Sequence, residues 1–116
     1  MNAPARSLSV LPNELAPGKP TVLERELAYQ PGAIVSRTLA KAKGGSITLF
    51  AFDAGQELSE HTAPFDAFVQ VLDGSVELTI GGEKVLARAG ETTRMPAGIS
   101  HALRALEPFK MIREQR

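Results

Sequence analysis

The sequence predicts an all-β domain, a small sandwich or barrel, on three observations. Turn residues recur at Pro31-Gly32, Gly44-Gly45, Gly55, Pro64, Asp73-Gly74, Gly81-Gly82, Gly90, Pro96, Gly98 and Pro108, a spacing of roughly eight to twelve residues that matches short strands joined by tight turns. Between these breaks apolar and polar residues alternate, as in Val76, Leu78 and Ile80 against Glu77 and Thr79, which is the period of a half-buried strand. Two of the breaks, Asp73-Gly74 and Gly81-Gly82, also have the composition of two-residue hairpin turns.

Taken in order, residues 1–20 hold four of the eight prolines, Pro4, Pro12, Pro17 and Pro20. Proline lacks the amide donor and fixes φ, so the stretch 1–30 reads as an irregular arm, loose at its start and able to lie across a partner subunit. Within it, Thr21 and Glu24 are spaced as a capping box, and Leu23 and Leu27 fall four apart. That pattern predicts a short helix over about 22–28, although Val22-Leu23 would also suit a strand.

Residues 31–116 form the barrel, with eight or nine strands expected at about 33–39, 46–53, 58–63, 67–73, 75–80, 84–88, 92–95, 101–106 and 109–114. In the second of these, Ile47, Leu49 and Ala51 oppose Thr48, Phe50 and Phe52, so both faces should be covered. Asp73-Gly74 and Gly81-Gly82 are expected as two-residue hairpin turns, because glycine accepts positive φ. The last segment, from Phe109 to Arg116, is a strand running out into charge. Closing such strands into a barrel removes exposed sheet edges.

A chain of 116 residues supports one core. Lys+Arg and Asp+Glu number 13 each, and no basic stripe stands out, which argues against a nucleic-acid partner. There is no cysteine, so disulfides, thiol catalysis and thiolate metal sites are excluded. No apolar run approaches the ~20 residues of a membrane helix. The run Leu8-Ser9-Val10-Leu11 is too short for a secretory signal, so a cytoplasmic protein without membrane partners is expected.

The chemistry concentrates between Gly55 and His101, a stretch that holds both histidines, His61 and His101. Gly55 stands six residues before His61, and Gly74 closes that segment; Gly90, Pro96, Gly98 and His101 follow in a second. Over about residues 45–110 these two motifs resemble those of the cupin superfamily, small conserved-barrel proteins with a double-stranded β-helix (jelly-roll) fold. The resemblance also implies a homodimer, since neighbouring cupin subunits often exchange or add N-terminal strands.

Cupins that bind metal use two histidines and a glutamate of the first motif with the histidine of the second. In this sequence those positions are His61, Ala63, Ala67 and His101, and the asparagine position of the second motif is Ala105. Parity places 61 with 63, 67 with 69 and 71, and 101 with 103 and 105 on common faces. Two alanines in place of ligands suggest an enlarged, mainly apolar pocket with two imidazoles in its wall. Arg94 and Met95, just before Pro96, would line its mouth, with Arg94 a candidate for holding a substrate carboxylate, although a solvated strand residue is the simpler reading.

Three readings of His61 and His101 follow: polar anchors for a small organic ligand, ligands of one divalent transition metal (Zn, Fe, Ni or Mn), or core histidines without a role. The first is preferred, because two histidines alone hold a metal weakly. Further donors near them are Glu57, Glu60, Asp66 and Gln70, the last three with the opposite parity. The function expected is therefore small-molecule binding without a metal. The alternative is a metal-dependent oxygenase, isomerase or lyase acting on a small polar substrate.

Overall fold

The structure is a computed structural model that describes residues 13–116. The beginning of the predicted arm, with Pro4, Pro12 and the run Leu8 to Leu11, lies outside the described residues. Nine strands follow: β1 Ile34–Ala42, β2 Gly45–Phe52, β3 Glu57–His61, β4 Ala67–Asp73, β5 Ser75–Ile80, β6 Glu83–Arg88, β7 Thr92–Met95, β8 His101–Ala105 and β9 Phe109–Gln115. Every predicted strand is present, with its ends shifted by a few residues at most.

The strands form two antiparallel sheets, ordered β1-β2-β9-β4-β7 and β3-β8-β5-β6. Apart from the β1-β2 and β5-β6 hairpins, each strand is followed by one in the other sheet, which gives a jelly-roll sandwich. Their facing sides hold one apolar core, with Phe50, Phe52, Val69, Val71, Phe109 and Met111 from the larger sheet against Val76, Leu78, Ala87, Leu103 and Ala105 from the smaller. The Phe52 and Phe109 rings lie 4.6 Å apart, cross-strand neighbours of the kind that stabilises a sheet.

As expected, β2 is buried on both faces. Phe50 and Phe52 enter the core, while Leu49 and Ala51 on the outer side have 0% exposure. The described part of the arm covers them. Arg37, beside Leu49 on β1, donates through Nε to the Asn13 carbonyl (2.6 Å) and pairs with Glu26 at 3.1 Å. Lys110, beside Ala51 on β9, donates to the Glu24 carbonyl at 2.5 Å and lies over the Tyr29 ring. Tyr29 in turn donates to Asp73 (2.5 Å). This part of the arm therefore straps its own sheet.

Two expectations are corrected. The predicted helix over 22–28 is a single 3-10 turn, Leu23–Arg25. The Thr21 hydroxyl donates to the Lys19 carbonyl instead of accepting from the turn, so the capping box does not form. Asp73-Gly74 is not a hairpin turn, because β4 and β5 belong to different sheets. Gly74 sits at the corner with φ +74°, where a Cβ would collide with the Pro108 carbonyl oxygen and with Phe109. Gly81-Gly82 does join a hairpin: Ile80 pairs with Glu83, and both glycines have positive φ (58° and 84°).

Candidate functional site

Inward-facing side chains give the barrel two unlike ends. In the smaller sheet the register aligns Ala105 with Val76, then Leu58 with Leu103 and Leu78, then His61 with His101 and Ile80. In the larger sheet Phe52 aligns with Phe109, Phe50 with Met111, and Thr48 with Arg113, Val69 and Thr93. One end is apolar. The other carries both imidazoles, two threonines and a guanidinium.

His61 and His101 are direct cross-strand partners, and their rings meet edge to face with centroids 4.3 Å apart. A register shift between Leu58 and His61 turns both of those side chains inward although they are three residues apart. His101 is 3% exposed, while His61 lies at the surface. The Nδ1 of His61 lies 2.9 Å from the Ser59 carbonyl oxygen, and that of His101 lies 3.3 Å from Ile99. A carbonyl only accepts, so these contacts place the proton on Nδ1 and leave a lone pair on each Nε2. Burial holds His101 below its ordinary pKa of 6.5; the nearby His61 and Arg113 push the same way, and the Ile99 carbonyl opposes them.

The loop before His101 is braced on several sides. Asp66 accepts from the Ala97 amide (2.8 Å), the Ala63 carbonyl accepts from Gly98 (2.8 Å), and the Ser100 carbonyl accepts from Gly81 (2.8 Å). Ala63 lies just past the end of β3, so its place beside His61 is set by this loop contact and not by strand parity. Ala67 is buried (1%) in the core cluster next to Met95, its partner on β7. Arg94 alternates with Met95 and is turned outward, largely exposed and 3.9 Å from Asp66. The guanidinium at this end belongs to Arg113, which lies 4.7 Å over the Phe50 ring. Sequence reading had passed over it in the charged tail, although Phe109, Met111 and Arg113 share one parity on β9.

The sequence predicts an enlarged hollow at the imidazoles. Five clefts of about 260–400 Å³ have other linings, and none includes His61, His101 or Arg113. The site is the polar end of the barrel.

This architecture and the sequence agree on a family. The cupin domain family matches residues 48–112, more than half of the chain. The chain is a cupin. A solved conserved protein of unknown function from Streptococcus pyogenes is 37% identical, with a TM-score of 0.87 over 95% of this chain and 96% of that one. A cupin 2 conserved barrel protein from Leptotrichia buccalis is 36% identical with a TM-score of 0.77; it matches 79% of this cupin, which spans only 45% of its length. A cupin from Desulfitobacterium hafniense at 24% identity and TM-score 0.82 shares the fold. No curated protein matches this cupin.

In metal-binding cupins the metal sits among the motif positions that are here His61, Ala63, Ala67 and His101. The residues present do not fit one well. Among the described residues no group of three or more His, Asp or Glu side chains converges on a point, whereas a metal site ordinarily uses at least three protein ligands. Glu57 lies beside Arg104 on the register row next to Leu58 and Leu103, facing away from the core, and Asp66 is engaged by Ala97. A cationic guanidinium close to His101 further disfavours a cation there.

Proposed function

We propose that this cupin binds a small organic molecule at the His61–His101 end of its barrel, without a metal. The observation that carries the reading is the imidazole pair, with each Nδ1 engaged by a backbone carbonyl and each Nε2 left as an acceptor. Two fixed acceptors at the rim of an apolar interior are what orients a small polar ligand. His61 is the exposed member, so entry is from its side.

The test is a thermal-shift screen of small metabolites and divalent metals on freshly purified protein, because a ligand of the native state raises the melting temperature by mass action. Metabolites that stabilise the wild type should lose their effect in His61→Ala, while chelation should leave the melting temperature unchanged. Stoichiometric metal that disappears in His61→Ala would replace this reading with the metal-dependent one.

A further inference from the structure

Arg113 is an arginine on an inward-facing strand position. Its neighbours across the larger sheet are Thr48 and Val69, and its guanidinium lies 4.7 Å over Phe50. Its Nε is fully buried and has no hydrogen-bond partner, the one such side-chain nitrogen or oxygen among the described residues. No described carboxylate pairs with it. Glu114, the next residue, faces the other way and is held by Arg116 at 2.6 Å; Asp66 accepts from the Ala97 amide and lies near Arg94.

An arginine stays charged under nearly all conditions, so burying its Nε–H without an acceptor costs stability that a leucine or methionine would not. Stacking on Phe50 accommodates the flat face of the guanidinium but leaves the buried Nε–H unmet. Nε–H with one Nη–H forms the side of the fork that receives a carboxylate through two parallel hydrogen bonds. The imidazole pair is near enough for Arg113 to act electrostatically on His101. A carboxylate at this end would meet the guanidinium, and a donor elsewhere on the same ligand would meet the Nε2 acceptors of the rim imidazoles.

We infer that Arg113 is the anion-recognising residue of this site and that the ligand is a small organic carboxylate, held by the guanidinium inside the barrel beneath His61 and His101. This rests on the ligand-binding reading above and adds the chemical class of the ligand. The carboxylate supplies the acceptor that the buried Arg113 Nε–H lacks, and its apolar remainder faces Phe50, Val69 and Met95.

The experiment uses 15N-labelled full-length protein titrated at constant ionic strength with two acid and amide pairs, L-lactate against L-lactamide and benzoate against benzamide, and with sulfate. The acids should shift the Arg113 Nε–H resonance and the His101 ring signals. The amides should bind at least about tenfold more weakly, as expected when a charge-assisted bidentate contact is lost. Arg113→Met, which keeps the packing on Phe50, should remove the acid preference while the folded spectrum is retained. If that variant does not fold, Arg113→Lys tests the fork with the charge kept, and the wild-type Nε–H shift decides independently.

Equal binding of acid and amide, or sulfate binding as well as the acids, would overturn the carboxylate assignment and leave the ligand-binding reading standing. So would an acid preference that survives in Arg113→Met. If neither these probes nor any metabolite of the screen perturbs His61 or His101, both readings fall together.

Discussion

His101 lost nearly all of its surface when β8 closed against β3, and burial is the main reason its proton is held less tightly than in the unfolded chain. The unfolded chain takes up that proton near 6.5, and the folded one only at a lower pH. The unfolded state thus binds more protons in the interval between, so stability is full above 6.5 and falls as pH drops towards the folded value. His101→Gln should therefore flatten the melting temperature between pH 7 and pH 5 relative to wild type. Parallel curves for the two proteins would show that His101 is not the group responsible. At this scale the sequence was legible in part. Two histidines spaced in family motifs pointed to one end of a barrel, and they do meet. Arg94, which precedes Pro96, was a candidate for holding a carboxylate with a solvated strand residue as the simpler reading, and alternation does turn it outward beside Asp66. Arg113 could have been found by continuing the apolar parity of Phe109 and Met111 by one step. Its charge disguised it as part of a solvated tail.

Strands were the most readable elements, because glycine marks their ends wherever the backbone needs positive φ. What the pattern could not separate is a turn within a sheet from a corner between sheets. Gly82 and Gly74 show the difference: both have positive φ, but a Cβ at Gly82 meets open space while one at Gly74 meets Pro108 and Phe109. Gly82→Ala should cost about 1 kcal/mol, the conformational penalty alone. Gly74→Ala should cost about 3 kcal/mol or more, since strain and displacement of the β8-β9 connection add to it. Urea midpoints measure both, and equal losses would mean that the corner yields without resistance. The predicted helix failed for a related reason. Its spacing was helical, but tertiary contacts hold Glu24, Glu26 and Tyr29 against the sheet with room for a single 3-10 turn, and a segment of that length gains little from its own hydrogen bonds.

At the scale of the molecule, the barrel is a packed apolar body with one polar end, and the apolar end is sealed by Phe52 and Phe109. That polarity was not written in any single segment. It arises when strands distant in sequence, β2 with β9 and β3 with β8, bring Thr48 beside Arg113 and His61 beside His101. The order β1-β2-β9-β4-β7 also places the last strand in the middle of the larger sheet. A chain ending at Pro108 should show no cooperative thermal transition, as checked by circular dichroism; a cooperative melt would mean that β2 and β4 close the gap without it.

During synthesis, the hydrogen-bonding rims of β2 and β4 thus stay open until β9 leaves the ribosome, since β9 is the piece that fills the slot between them. Closure of the larger sheet waits on that one strand, and any pause before it leaves two sticky borders waiting for the same insert.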